Sequence, residues 1–283
     1  MSPLLEQSVI IFESALTLAG CGFLIWFFFV PSGRAARARP CALTVWDVTL
    51  TDFLFLAWLI LVAGFLGQLL LRATVGPALR AQPEGSTIEL ILYGSTFHIG
   101  AILAWLCAPL LVRRRRQAAA LPGAPTARVS PLLTIRGAVL AFLAVMPLAG
   151  GTAMAWERFL NVVGLPTERQ ELVDLFVQTK SPVLLALMIA LALVVAPVSE
   201  ELVFRAGLFR FLRSRAPRWV AFAVSAGLFA LLHGNWVSSL PLFVLGLLFA
   251  AAYERTGRLA VPMLAHAFFN LNTLLLVLSG VGR

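Results

Sequence analysis

The sequence predicts an all-α fold, a polytopic transmembrane helical bundle of about eight spans with a candidate active-site chamber among its C-terminal helices. Three observations carry that expectation. The 283 residues are 60% hydrophobic and 12% charged, with mean hydropathy +0.92, a composition that excludes a soluble globule. The apolar residues fall in runs long enough to cross about 30 Å of hydrocarbon at about 1.5 Å per residue. Three charges, Glu200, Glu201 and Arg205, interrupt one of these runs, at a depth where an ionisable side chain is costly enough to mark a functional site.

Taken in order, the apolar runs cover residues 8–30, 49–71, 88–112, 137–155, 182–205, 219–235, 239–253 and 259–280, with the fifth able to continue towards Arg213. The stretch before the first run, Met1 to Ser8, carries Glu6 and neither Lys nor Arg. It lacks the basic region of a cleaved signal peptide, so the first run is expected to persist in the mature chain. The loops between runs alternate in charge. Arg34, Arg37 and Arg39, then Arg113 to Arg116 with Arg128 and Arg136, then Arg210, Arg213, Arg215 and Arg218, then Arg255 and Arg258 put fifteen of the 22 basic residues in loops of one parity. The other parity mixes six basic residues with Glu84, Glu89, Glu157, Glu168, Glu171 and Asp174. By the positive-inside bias, the chain is a multi-pass inner-membrane protein with both termini outside the cytoplasm, which requires an even number of spans.

The same distribution disposes of nucleic acid as a partner. A net charge of +9 would suggest it in a soluble protein, but here the arginines lie between apolar spans and the partner they address is the lipid bilayer. Cys21, Cys41 and Cys107 show no CxxC spacing and read as free thiols. Residues 117–134, with Pro122, Gly123, Pro125 and Pro131, read as a flexible cytoplasmic linker. It divides N-terminal helices of unassigned role, 1–116, from a motif-bearing region, 135–283. Residues Pro166 to Thr179 form a polar, helix-permissive segment in which Thr167 can cap a short interfacial helix.

The helical period sorts the charges. Glu201 and Arg205 are four apart and share a face, where a carboxylate can hold a guanidinium, whereas Glu200 points about 100° away and is left free for chemistry. Three more polar residues lie in the last spans: His233 in Phe229-Ala-Leu-Leu-His233, and His266 and Asn270, again four apart and on one face. Counting from the nearest loop arginine at about 1.5 Å per residue, Glu200 lies about 20 Å in, His233 about 22 Å, and His266 and Asn270 about 12 and 18 Å. These levels overlap, so three helices can bring carboxylate, imidazole and amide into one chamber. Pro197 is expected to kink the helix just before the glutamates.

Glu-Glu-x-x-x-Arg at 200–205, Phe-x-x-x-His at 229–233 and His-x-x-x-Asn at 266–270, in that order on successive spans, resemble the CAAX-protease and bacteriocin-processing family of intramembrane proteases. The resemblance covers roughly residues 135–280. It implies an endopeptidase in which Glu200 and His233 activate a water, His266 and Asn270 serve the oxyanion, and Glu201 with Arg205 holds the site together. The chemistry agrees, because hydrolysis of a peptide bond in a membrane-associated protein or peptide needs a base, a proton for the leaving amine and donors for the oxyanion. The same side chains leave a second arrangement open, a divalent metal such as zinc on Glu200, His233 and His266. The lack of His-Glu-x-x-His and the Asn opposite a Glu–His pair favour the metal-free arrangement.

Bland readings stand beside these. The carboxylates and Arg205 can serve as packing devices, which would make the chain a non-proteolytic scaffold or bacteriocin self-immunity protein, and a proton-relay transporter is a further class. His98, claimed by no motif, is expected to make an interhelical hydrogen bond. Glu13 and Asp52 have no assigned role, Gly64, Gly67 and Gly246 mark close helix contacts, and Trp26, Trp46, Trp105, Trp156 and Trp236 are candidate interface anchors.

Overall fold

Backbone that cannot reach water must satisfy its own donors and acceptors, and among the described residues the chain does so as helix, with no strand. The computed structural model describes residues 3–80, 85–113, 130–165, 167, 175–176 and 179–281. In chain order the helices are α1 (Pro3–Phe29), α2 (Pro31–Ala38), α3 (Leu50–Thr74), α4 (Gly76–Arg80), α5 (Gly85–Arg113), α6 (Pro131–Val162), α7 (Pro182–Arg213), α8 (Arg218–Leu231), α9 (Trp236–Thr256) and α10 (Ala260–Ser279). Seven of them, all but α2, α4 and α8, are long and apolar enough to cross a membrane. The chain is an all-α, multi-pass bundle.

The expectation of eight full spans needs correcting at the sixth. Helix α8 has 14 residues, about 21 Å of rise against the 30 Å of a hydrocarbon core. Its end is written locally. Gly234 adopts φ +66, and the Asn235 side chain accepts from the Ser238 N–H at 2.9 Å, so it caps α9 instead of prolonging α8. The linker expectation also shifts, because α6 already starts at Pro131, behind Ser130, and residues 131–134 are helical. The part of the linker before 130 lies outside the described residues. So does most of the segment expected as an interfacial helix; within it, Phe176 is helical and packs with Ile91, Met188 and Leu274.

Two apolar cores meet along α7. The larger joins Ala138, Val145 and Ala149 of α6, Phe204 of α7, Phe229 of α8, Leu245 and Phe249 of α9 and Ala265 of α10. The smaller joins Leu56 and Ile60 of α3 to Ala101, Ala104 and Ala108 of α5, with Val203 of α7 packed against it. Small residues set the approach, as expected. A Cβ on Gly64 would lie 2.5 Å from the Phe97 ring, and one on Gly246 would lie 2.9 Å from Ala226. On α3 the exposed Leu54, Trp58, Leu61, Phe65 and Leu69 form one helical stripe, the face a bilayer covers. Asp52 is accounted for by an N-cap, since Thr49 Oγ1 accepts from its N–H at 3.1 Å and donates to its carboxylate at 2.8 Å.

The loops expected to be cytoplasmic gather at one end of the bundle. Arg210 reaches Thr44, Arg215 the Trp46 carbonyl, Arg255 the carbonyls of Ala36 and Arg37, and Arg258 the Ser130 carbonyl. Beneath them Glu254, 1% exposed, takes Arg213 at 2.6 Å and Arg218 at 2.7 Å. Of the tryptophans, Trp156 Nε1 donates to the Trp236 carbonyl at 2.7 Å, while Trp46 packs on Trp105 with ring centroids 6.2 Å apart.

Candidate active site

Helix α7 carries the glutamates, and it is not a uniform α-helix. Leu191–Val195 and Leu202–Phe209 are π-helical, on either side of an α-helical turn, Ala196–Glu201. Proline chemistry explains the first wide stretch. Pro197 has no N–H and its ring crowds the carbonyl four residues back. The helix relaxes by widening, so that the Ala196 N–H reaches the Leu191 carbonyl, five residues back. The expected kink is therefore a local unwinding, and it lies within one turn of Glu200.

The α-helical turn between the wide stretches presents the two glutamates differently. Glu201 is fully buried, and its Oε1 lies 3.1 Å from Arg205 Nη1 and 3.1 Å from His266 Nδ1. Arg205, also fully buried, donates through Nη2 to the Gly246 carbonyl at 3.4 Å and lies over the Phe229 and Phe249 rings at 4.4 and 5.4 Å. Aromatic faces thus take up much of a guanidinium that has little water to turn to. Glu200 stands apart from this pair, as the period requires. Its Oε2 is buried, accepts no hydrogen bond from the protein and lies 3.7 Å from His266 Nε2.

His266 therefore sits between both carboxylates. Nδ1–H is donated to Glu201, which fixes the tautomer and turns Nε2 towards Glu200. His233, at the end of α8, donates its Nδ1–H to the Phe229 carbonyl at 2.7 Å, which leaves Nε2 as an acceptor. The Phe of Phe-x-x-x-His is more than spacing. The Phe229 ring meets His233 with centroids 4.7 Å apart and His266 at 6.0 Å, so one buried side chain spaces both imidazoles and the guanidinium. Asn270 Nδ2 donates to the Ala192 carbonyl in the first wide stretch of α7 at 2.8 Å. One of its two N–H groups is thereby committed.

Residues 182–272, which include all of these side chains, match a family model described as type II CAAX prenyl endopeptidase Rce1-like. Over these residues the chain is similar to that family of prenyl endopeptidases. A curated relative, "Putative membrane peptidase YdiL" of Bacillus subtilis (strain 168), is 28% identical over 138 residues, 49% of this chain. The match spans about half, 54%, of that relative's length. No solved structure matches the chain. The family model does not extend over the N-terminal helices.

Among the described residues no three His, Cys, Asp or Glu side chains converge as metal ligands would. Of the residues envisaged for zinc, His266 lies against two carboxylates, Glu200 and Glu201. Sequence reasoning also left contacts unseen. Ser225 of α8 donates to the Phe204 carbonyl at 3.0 Å. His98 of α5 makes the interhelical hydrogen bond expected of it, to Ser199 Oγ at 2.5 Å. No motif marks Ser199 or Ser225; a hydroxyl in an otherwise apolar helix is the signal available.

Proposed function

We propose that the chain is a multi-pass membrane endopeptidase that hydrolyses a peptide bond of a membrane-associated protein or peptide with a water activated by Glu200. One observation carries this reading. Of two adjacent glutamates, Glu201 is fully buried and engaged through Oε1 by Arg205 and His266, while Glu200 is partly exposed, has no ion pair with Arg205, and keeps an Oε2 that no protein donor claims. A carboxylate maintained in that state is costly unless it has a task.

The steps follow from the donors and acceptors present. Glu200 takes a proton from water, and the water oxygen bonds to the scissile carbonyl carbon as the C=O electron pair moves onto oxygen. The second N–H of Asn270 donates to that oxyanion, and His266, if it enters the reaction with Nε2 already protonated, donates a second hydrogen bond and keeps its proton. Collapse restores the carbonyl and breaks the C–N bond, and the proton held by Glu200 passes through His233 Nε2 to the leaving amine. Arg205, through Glu201, fixes the ring plane of His266. Each step is assigned to the chain's own groups.

The test compares terminal peptides of the membrane and secreted proteome from cells carrying wild-type protein or Glu200→Gln at matched abundance. A discrete set of termini present with the wild type and missing with the variant is the expected result, and it also names the substrate and any prenyl group on it. In isolated membranes treated with 1,10-phenanthroline the same cleavage should continue within two-fold. Identical termini in both strains, with the variant restoring the deletion phenotype, would give the site to a scaffold or immunity role.

A further inference from the structure

The uneven course of α7 leaves its register open to choice. Each wide stretch accommodates an extra residue relative to an α-helix, and moving that residue by one position would turn Glu200 by about 100°. Side chains from three neighbouring helices hold the observed register. Asn270 of α10 bonds the Ala192 carbonyl in the first wide stretch, and Ser225 of α8 bonds the Phe204 carbonyl in the second. The turn between them, which bears the glutamates, is held from α5 by His98 through Ser199.

The protons in this contact can be assigned. Ser199 is 2% exposed, and its hydroxyl donates to the Ala196 carbonyl at 3.0 Å. A hydroxyl has one hydrogen to give, so Ser199 Oγ accepts from His98 Nδ1–H and His98 keeps Nε2 as an acceptor. Helix α5 runs parallel to α7 along this face. A Cβ on Gly94 would lie 3.8 Å from Leu191, and one on Gly207 would lie 3.4 Å from Trp105. His98 falls between these two contacts, on the residue adjacent to Glu200.

We propose that His98 is a positioning residue for Glu200, acting through Ser199, and that the N-terminal helices are for this reason part of the proteolytic site. The proposal rests on the proteolytic reading given above. Displacement of a catalytic group by about 1 Å costs on the order of 100-fold in rate, which sets the scale of the effect.

The experiment follows the rate at which Glu200-dependent termini appear after induction, at matched protein abundance, in five strains: wild type, His98→Ala, His98→Asn, Ser199→Ala and the His98→Ala/Ser199→Ala double variant. His98→Ala is expected to slow cleavage on the order of 10- to 100-fold, in keeping with misplacement of the base. His98→Asn keeps a donor near the Nδ1 position and should recover most of the rate; a packing role alone would not give that rescue. Ser199→Ala should match His98→Ala, and the double variant should be no slower than either. Cleavage by His98→Ala within two-fold of wild type would overturn the proposal, as would losses that multiply in the double variant or an Asn variant no better than Ala. If the wild type yields no Glu200-dependent termini, the proteolytic reading itself fails and takes this proposal with it, an outcome distinct from the others.

Discussion

Glu254 at the basic end of the bundle and Glu201 in its middle are almost equally buried and both face arginine, yet they are satisfied to different degrees. Glu254 accepts short, charged hydrogen bonds at both oxygens, one from Arg213 and three from Arg218. Its arginines are 37% and 61% exposed and keep contact with solvent. Glu201 engages through one oxygen at 3.1 Å to each partner, its Oε2 accepts nothing, and Arg205 is buried with it. A saturated carboxylate staples helices together. An incompletely satisfied one beside a second free carboxylate is the arrangement on which the proposed proteolytic role rests.

The largest expected effect lies at the second carboxylate. Glu200→Gln preserves shape and removes only the base, so cleavage should fall by about 10²- to 10⁴-fold, the range for loss of a general base. The melting temperature should not fall. A variant that lost activity and stability together would make Glu200 a packing residue like Glu254, and the contrast between the two clusters would disappear.

Next comes Arg205→Ala. It leaves Glu201 buried without its guanidinium, a change that costs about 3–5 kcal/mol when one partner of a buried pair is removed. Both the melting temperature and the cleavage rate should drop, since His266 is oriented through Glu201. A variant with normal activity would show that the ion pair is a staple only.

Why some of this was legible in the sequence and some was not follows from how each feature is encoded. The i,i+4 spacing of Glu201 with Arg205 and of His266 with Asn270 dictates shared faces, and both pairs face their partners as the period requires. The N-cap of α9 and the continuation of α7 to Arg213 are local signals too. The π-helical stretches are not, because Pro197 says that the helix must yield without saying how. The commitment of Asn270 to Ala192 and of His98 to Ser199 arises from helix packing, which no spacing within one span reveals. Glu254 escaped notice for the opposite reason. Flanked by Arg255 it reads as a loop residue, and only the fold shows it 1% exposed beneath two arginines.

Glu254→Gln is expected to have a smaller effect than Arg205→Ala. Its arginines can turn to water, so the loss should be about 1–2 kcal/mol, the scale of charged hydrogen bonds discounted for exposure. Cleavage should stay within two-fold of wild type. A thermal melt beside the terminal-peptide assay separates the two, and a marked loss of rate would mean that the basic end and the chamber are coupled.

The smallest effect is a label that should alter nothing, and it fixes which side of the membrane each cluster faces. Cys41 is exposed in the segment joining α2 to α3, where the Ala42 N–H bonds the Arg255 carbonyl beside Glu254. Cys21 and Cys107 lie within the membrane-crossing lengths of α1 and α5, where a charged reagent in water does not reach them. If the basic end is cytoplasmic, as the positive-inside bias requires, a membrane-impermeant maleimide should modify Cys41 only after the cells are opened, with no change in cleavage. Modification in intact cells would invert the topology, putting the Glu254 staple outside. The chamber, which lies about 20 Å from that end by helical rise, would then be nearer the cytoplasmic surface, from which substrates would have to enter.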